Sequence, residues 1–396
     1  MDLISGYRAF LDAGKTEREC IREIIRQAES AGYRDIESVE SLKAGDKVYA
    51  AKYGKSIALF CIGTEPIEKG MNILGAHIDS PRLDIKMKPV YESDGIVYLD
   101  THYYGGIKKY QWVTLPLALH GVVIKKDGTK VRINVGEDDD MAFCISDLLP
   151  HMAQEQMKKT AAEVIPGEDL DIMIGLPEAD KDEKEGAKKK ILAILKELYG
   201  IEEDDFLSAE IEAVPAGKAK LMGFDRSMIL AYGQDDRVCA YTSLRAMLDA
   251  ENPKRTTCCL LVDKEEIGSV GSTGMDSVFF ENAAAEVLER LSGYDGLKLR
   301  RMMSSSYMLS SDVNSAYDPL NASLFDKKNS SMLAGGVVFN KYTGSRGKSG
   351  ASDANAEFIA KLRAKMDENN VRYQMAEMSK VDIGGGGTIA KYAAYY

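Results

Sequence analysis

Acidic side chains, with one imidazole among them, stand beside apolar runs at four places in this chain of 396 residues. Carboxylates and a histidine at the strand ends of an α/β fold form the ligand set of a hydrolytic two-metal site, in which paired divalent ions activate a shared water. The sequence has no HExxH segment, so the single-zinc protease plan is absent. The residues in question are His77, Asp79, Asp235, Asp236, Glu265, Glu266 and Asp312.

The first place is the end of the apolar run Met71–His77. Asp79 follows two residues later, and a kink at the strand end would let its carboxylate fix the imidazole tautomer while the other ring nitrogen binds a metal. A structural histidine hydrogen-bonded to a nearby aspartate is the alternative. The chain has only four histidines, all within its first 151 residues, which excludes a site built from histidines across the chain.

The second place is the pair Glu265 and Glu266, which follows the predicted buried strand Thr257–Val262. Two adjacent carboxylates beside a buried strand are costly unless a cation or hydrogen-bond donors compensate them. Adjacent residues in extended backbone point to opposite sides, so one glutamate can bind a metal while the other addresses a water. A solvated turn is the alternative for this segment by itself.

The third and fourth places are Asp235-Asp236, just before a helical pattern, and Asp312, after Met308-Leu309. An aspartate is a good helix N-cap, which accounts for one member of the pair but not for both. Asp312 carries little weight by itself. Taken together, the four places predict a metal centre more strongly than any one of them.

Apolar periodicity predicts the elements that hold these residues. Thr16 and Glu19 have capping-box spacing at the start of an amphipathic helix. Strands are predicted at Val48–Tyr53, Ser56–Ile62, Met71–His77, Leu117–Ile124, Lys130–Val135, Thr257–Val262 and Val337–Tyr342, helices at 191–198, Cys239–Ala250, Phe280–Leu291 and Ala354–Asp367, and an amphipathic stretch at Ser146–Lys158.

The residue pattern changes near residue 89, where alternating strand-like segments begin, and it returns to strand and helix alternation near residue 225. We therefore predict an α/β fold whose central mixed sheet is flanked by helices, in a discontinuous catalytic domain of residues 1–88 and 225–396. Residues 89–224 are predicted to form an inserted β-rich domain.

The composition excludes several classes of protein. A net charge of −11 argues against binding to nucleic acid or to an anionic membrane. The longest apolar run, Val113–Ile124, is too short to span a bilayer, and the N-terminus has no secretory signal pattern. Six scattered cysteines without CxxC spacing are typical of reduced thiols, so we expect a cytoplasmic protein.

The motifs His77-Ile78-Asp79, Asp235-Asp236-Arg237, Asp263–Gly268 and Ser311-Asp312 resemble, in order and spacing, the metal motifs of the aspartyl aminopeptidase family of dizinc exopeptidases. The likeness extends over nearly the whole chain. It implies a metallo-aminopeptidase that removes N-terminal residues from short peptides. Two zinc ions per subunit are implied for the complete protein, with cobalt or manganese as substitutes.

The resemblance also implies a role for each site residue. Glu265 is implied as the general base, Asp79 as the residue that orients His77, and Asp236 as a neighbour outside the ligand set. The implied metal ligands are His77, Asp235, Glu266 and Asp312, with Asp235 bridging the two ions.

Substrate contacts and assembly follow from the same resemblance. Lys341 and Tyr342 resemble part of a substrate-binding strand. The inserted domain is implied to form dimers, which assemble into dodecamers. His151 resembles an insertion-domain histidine that reaches into a neighbouring subunit's site, and a helix-start histidine at the dimer contact is the alternative.

This chain departs from the family at two points. The segment Val313–Pro319 lacks the histidines that many members carry there, so the resemblance does not carry over a preference for aspartate or glutamate. The second metal of the family takes a histidine near the C-terminus, and this sequence has none after His151. We therefore expect about fifty further residues in the natural protein, which would cover a sheet edge and an apolar helix face.

Other functions fit the same residues. A deblocking or glutamyl-type dizinc aminopeptidase is one alternative, because Asp-Asp-Arg also suits those relatives. A catalytically weak assembly protein that keeps the fold is another, which the retention of Glu265 beside Glu266 disfavours. The Gly384–Gly387 loop is predicted to approach the substrate backbone and not to cradle a phosphate, because no Lys-Ser/Thr follows it.

Overall fold

A computed structural model describes residues 2–137, 140–178, 183–341, 343–344, 346–348 and 353–396. The helices in these residues are α1 Leu3–Ala13, α2 Glu17–Ser30, α3 Gly186–Tyr199, α4 Gln234–Leu248, α5 Phe279–Ser292, α6 Gly296–Ser304, α7 Ala356–Glu368 and α8 Ala390–Ala393. The strands are β1 Arg34–Asp35, β2 Lys47–Lys52, β3 Ser56–Cys61, β4 Asn72–His77, β5 Arg82–Ser93, β6 Ile96–Tyr104, β7 Leu117–Ile124, β8 Lys130–Val135, β9 Ile172–Gly175, β10 Ala209–Pro215, β11 Lys220–Met222, β12 Met228–Leu230, β13 Thr257–Val262, β14 Tyr307–Ser310, β15 Val337–Asn340 and β16 Tyr373–Ala376.

The chain folds into two compact units. The first comprises Met1–Ile25 and Asp79–Gln234, and the second comprises Arg26–Ile78 and Asp235–Tyr396. The boundaries of the inserted domain, which the sequence pattern placed at residues 89 and 224, stay a prediction. The role of that domain in dimerisation also stays a prediction.

The second unit is built on a six-stranded sheet in the order β1-β2-β3-β13-β4-β14. β13 runs antiparallel to β3 and parallel to β4, and β14 is also parallel to β4, so the sheet is mixed, as predicted. Every residue of β3 is buried, because this inner strand is covered on both faces. Helices α5 and α6 contribute Ala284, Val287 and Met302 to the same core.

The first unit is built on an antiparallel six-stranded sheet in the order β8-β7-β10-β5-β6-β9. Its core contains Leu83, Val97, Leu117 and Ile172, and Ile191 of α3 packs against them. The alternation of apolar and polar residues that predicted strands at Leu117–Ile124 and Lys130–Val135 is confirmed by β7 and β8.

Most locally predicted elements are confirmed. The capping box forms, since the Glu19 N–H donates to Thr16 Oγ1 at 3.2 Å and the Thr16 N–H donates to Glu19 Oε2 at 3.2 Å. The stretch Ser146–Lys158, predicted only to be amphipathic, forms turns and one 3-10 helix, Gln156–Lys158. Among the helices built from the described residues, none combines the length and hydrophobicity needed to cross a bilayer.

Candidate metal centre

The carboxyl ends of three parallel strands gather the predicted site residues of the second unit. β4 ends at His77, which lies level with Val262 of β13, and Gly75 lies level with Ser310 of β14. The residues that follow β13 and β14 are therefore delivered to the same edge of the sheet as His77, where the sites of α/β sheets form. His77 itself is 1% exposed.

Carboxylate oxygens surround the imidazole of His77. Its Nε2 atom lies 3.3 Å from Asp235 Oδ1, 3.8 Å from Asp312 Oδ1 and 3.9 Å from Glu265 Oε2. Glu266 joins the cluster, because its carboxylate, the His77 imidazole and Asp235 offer ligand atoms within 4.8 Å of one another. The structure thus brings together the four residues predicted as ligands and the one predicted as general base.

The cluster fits a zinc ion. Zinc prefers nitrogen and oxygen donors at about 2.0–2.1 Å in a tetrahedral arrangement, which spaces neighbouring ligand atoms about 3.3 Å apart. The His77–Asp235 separation of 3.3 Å matches that spacing. Four carboxylates around one histidine also repel one another unless a cation neutralises them.

Asp236 is a site residue whose position the sequence did not reveal. Its side chain is 0% exposed, and neither carboxylate oxygen accepts a well-formed hydrogen bond from the described residues. Burial, together with the charges of Asp312 and Asp235, raises the pKa of Asp236 to about 8, against the opposing effect of His77. With His77 and Asp312 it forms a second group of ligand atoms within 4.8 Å, so this carboxylate is placed to hold a cation.

The backbone at the start of α4 presents these two aspartates. Asp235 and Asp236 have non-helical backbone angles and are joined by a cis peptide bond. Arg237 follows and is 1% exposed, and its Nε atom donates to the carbonyl of Ile78 at 3.2 Å. The guanidinium therefore ties the start of α4 to the backbone just after His77. An arginine beside two aspartates is the only feature of the sequence that hints at this contact.

A tight turn after β13 presents the two glutamates. Glu265–Ile267 is a 3-10 helix, preceded by Lys264 at a φ of 70° and followed by Gly268 at a φ of 96°. The buried Asp263 accepts from Thr273 Oγ1 at 2.7 Å and from the Lys264 N–H at 2.8 Å, which fixes the entry to the turn. The expectation of extended backbone here was wrong, although both glutamates still reach the cleft described below.

Asp79 lies in the first unit and is fully buried. Its Oδ2 atom accepts a hydrogen bond of 2.8 Å from the Tyr104 hydroxyl. That contact fixes the carboxylate against the end of β6. Its predicted role in orienting His77 stays a prediction.

Two of the three residues predicted to bind substrate, His151 and Lys341, are among the described residues. His151 is exposed in a turn of the first unit. Strand β15 ends at Asn340, and Lys341 follows it with an exposed side chain. Tyr342 lies outside the described residues. Asn340, and not Lys341, lines the cleft beside the metal cluster.

A cleft of about 420 Å³ opens beside the cluster, entirely within the second unit. Asp235, Glu265, Glu266 and Asp312 form part of its lining, and the glycine loop Gly384–Gly387 forms another part. The volume lies in the range typical of small-molecule sites. The glycine side of the cleft has no Cβ atoms, so backbone groups are accessible to a bound molecule.

Comparisons with known proteins agree with this arrangement. The sequence model of the Peptidase_M18 family, described as aminopeptidase I zinc metalloprotease, matches residues 10–396. A probable M18 family aminopeptidase 1 from Clostridium acetobutylicum is 57% identical over 396 residues, covering 98% of this chain and 85% of that protein.

Solved structures give the same result. The crystal structure of an M18 aminopeptidase from Thermotoga maritima superimposes with a TM-score of 0.94 at 42% identity, covering 99% of this chain and 86% of that one. Aminopeptidase I from C. acetobutylicum gives 0.92 at 54% identity, covering 98% and 86%. The mApe1 dodecamer of S. cerevisiae shares the fold at 0.74 and 19% identity, covering 95% and 85%. The chain therefore belongs to the M18 family of aminopeptidase I zinc metalloproteases.

Proposed function

We propose that this zinc aminopeptidase removes the N-terminal residue of short peptides at a two-metal centre around His77. The observation that carries the proposal is the convergence of one buried imidazole and five carboxylates in one cluster beside the cleft. A pair of divalent ions satisfies them together.

The residues that would hold the ions are His77, Asp235, Glu266 and Asp312, and the proposed role of Asp235 is to serve both ions. Asp236 belongs to this proposal as a further carboxylate, because its buried oxygens accept no well-formed hydrogen bond and it offers a ligand atom beside those of His77 and Asp312. Bound zinc polarises the peptide carbonyl and makes a water nucleophilic at neutral pH. Asp79 is proposed to restrict the orientation of His77, two residues away along the chain.

Glu265 is proposed as the general base. Its carboxylate lines the cleft, with a side chain 18% exposed and one oxygen 3.9 Å from His77 Nε2. In this role Glu265 takes a proton from the attacking water and passes it to the nitrogen of the leaving peptide. The acids beside Glu265 attract the positively charged α-amine of the substrate. Binding of that amine beside the cluster confines cleavage to the first peptide bond.

The substitution Glu265→Gln tests this assignment, because it keeps the shape of the side chain and removes its basicity. We expect kcat on a leucine-amide or short-peptide substrate to fall by about 10²–10⁴, the usual contribution of a general base. Zinc content, measured by elemental analysis, should stay at the wild-type value. Glu357→Gln on the exposed face of α7 is the matched control and should leave kcat unchanged. A Glu265→Gln enzyme that keeps more than about a tenth of wild-type kcat contradicts the role.

We also propose that the protein is a homo-oligomer. Leu148, Leu149 and Met152 are 50%, 53% and 67% exposed on one turn-rich segment, which is unusual for a surface that stays in water. The dodecameric form of the yeast relative supports an assembly of this kind. His151 lies between these residues, so a second copy packed here would cover it. Light scattering on the purified chain, compared with Leu149→Lys, distinguishes an oligomer from a monomer.

A reducing compartment such as the cytoplasm is the proposed location. The six cysteines are all free thiols, and Cys258 and Cys259 are buried side by side in β13. Burial raises the pKa of both thiols, so neither is activated for oxidation. Contact with nucleic acid or membrane forms no part of the proposal, because the net charge of −11 disfavours anionic partners. Cell fractionation tests the location.

A further inference from the structure

The cleft beside the metal cluster carries basic residues that the proposed chemistry does not use. Arg346 and Lys380 line the cleft together with the acids around His77. Neither cationic group forms an ion pair or a side-chain hydrogen bond within the described residues. Lys348 is also in the lining, but Asp353 lies 3.7 Å from its ammonium group.

The two free cations belong to one substructure. The Arg346 N–H donates to the carbonyl of Val381 at 2.9 Å, and the Gly344 N–H donates to the carbonyl of Gly386 at 2.9 Å. These bonds join Gly344 and Arg346 to the loop 381–386, so Arg346 lies beside the stretch of backbone that carries Lys380. The acids around His77 come from a different part of the lining, the strand ends and the start of α4, and Glu377 is a further acid in the lining, close to Lys380 in the chain.

The cleft therefore has a cluster of acids at one part of its lining and a group at another part in which Arg346, Lys348 and Lys380 outnumber the acid Glu377. A short peptide with free ends also has both charges, an ammonium group at its first residue and a carboxylate at its last. The volume of about 420 Å³ is that of a site that encloses one small ligand, so a di- or tripeptide fits with both ends inside. Unpaired guanidinium and ammonium groups bind carboxylates through charge-assisted hydrogen bonds.

We infer that Arg346 and Lys380 bind the C-terminal carboxylate of the substrate and so select di- and tripeptides over longer chains. The inference rests on the proposed function, since it needs the substrate amine at the acidic cluster. It adds to that function a length limit and two specificity-determining residues. An acidic side chain within the peptide offers the same carboxylate chemistry, and the experiment separates the two sources.

The experiment compares kcat/KM for Leu-Gly-Gly with that for its C-terminal amide. We expect the free acid to be preferred by about tenfold, the usual effect of one charge-assisted contact in a water-accessible site. The preference should arise in KM and should shrink as the salt concentration rises. In Arg346→Gln and in Lys380→Gln the ratio of acid to amide should move towards one. Lys328→Gln, an exposed lysine outside the cleft lining, is the control and should keep the wild-type ratio.

A second pair of peptides, Asp-Gly-Gly-amide and Asn-Gly-Gly-amide, tests the other source of a carboxylate. The inference is overturned if kcat/KM is higher for the Asp peptide than for the Asn peptide but equal for Leu-Gly-Gly and its amide. In that case the cations bind the carboxylate of a side chain and not the C-terminal carboxylate. A ratio of acid to amide near one in the wild-type enzyme also overturns it, whatever the variants do. Failure to cleave any of the four peptides contradicts the proposed function itself, which is a distinguishable result.

Discussion

The substitution His120→Leu removes a buried cation from the first unit. His120 lies in β7 and is 1% exposed. Its Nδ1 atom is 3.1 Å from Glu19 Oε1, and its Nε2 atom is 3.0 Å from Glu137 Oε1. Because ionised carboxylates only accept hydrogen bonds, both ring nitrogens donate and the imidazole carries a positive charge. Burial lowers the pKa of His120, but the hydrogen bonds and charges of Glu137 and Glu19 outweigh it and raise the pKa overall.

The size of the effect follows from the groups that remain. Removing one partner of a buried ion pair costs about 3–5 kcal/mol, since the other partner is left without compensation. Glu137 keeps the Lys15 ammonium at 3.4 Å and the Gly217 N–H at 2.7 Å. Glu19 keeps the Lys15 N–H at 3.0 Å. These contacts place the expected loss in the free energy of unfolding near the lower end, at about 3 kcal/mol.

The loss should depend on pH with a defined sign. The folded-state pKa of His120 is raised above its ordinary value of 6.5, so its stabilisation is complete below pH 6.5 and disappears as pH rises through the folded-state pKa. The difference between wild type and His120→Leu should therefore shrink at alkaline pH. Glu212 lies directly opposite on β10, and burial together with the charge of Glu17 raises its pKa well above the ordinary value. Glu212, Arg82 beside it and Lys15 are present in both proteins, so the difference in stability isolates the contribution of His120.

Urea unfolding followed by circular dichroism, repeated from pH 5.5 to pH 9.5, measures this difference. His102→Leu is the matched control, because His102 is an exposed histidine of the same unit and should change stability by no more than about 0.5 kcal/mol. The reasoning is refuted if His120→Leu costs less than about 1 kcal/mol at pH 6, or if its cost is the same at both ends of the pH range.

Three further outcomes are expected. His77→Ala should weaken zinc binding by more than about 100-fold, because the imidazole of the cluster is lost. Equilibrium dialysis with elemental analysis measures the affinity for zinc. An unchanged zinc content contradicts the assignment of His77 as a ligand. Removing metal with EDTA should lower the melting temperature and added zinc should restore it, since the carboxylates around His77 are then no longer neutralised; equal melting curves would argue against a metal there. Gly121→Ala should lower the free energy of unfolding in urea by about 3 kcal/mol or more, because a Cβ atom would lie 2.0 Å from the Glu210 carbonyl oxygen of β10. Gly128→Ala is the comparison, because a Cβ atom there would meet no atom within 4 Å. Its positive φ alone should lower the free energy of unfolding by about 1 kcal/mol.

The sequence by itself determined the local elements and the identity of the site. Apolar runs such as Ser56–Ile62 and the capping residues Thr16 and Glu19 depend on neighbours within a few positions, so their pattern predicts strand β3 and the start of α2. The four acidic motifs together predicted a metal centre, and their resemblance to the motifs of a dizinc exopeptidase family implied a zinc aminopeptidase. The family comparisons confirm that class of enzyme.

The tertiary structure decided which of these residues meet and which charges are buried. Asp236 became a member of the cluster only through the backbone at the start of α4, which turns its carboxylate inward. His120 lies within the apolar run Val113–Ile124, and its partner Glu19 stands 101 residues away in the chain. Arg346 and Lys380 share a cleft because two loops hydrogen-bond to each other. Contacts of this range depend on strand register and loop pairing, which no local pattern of residues encodes.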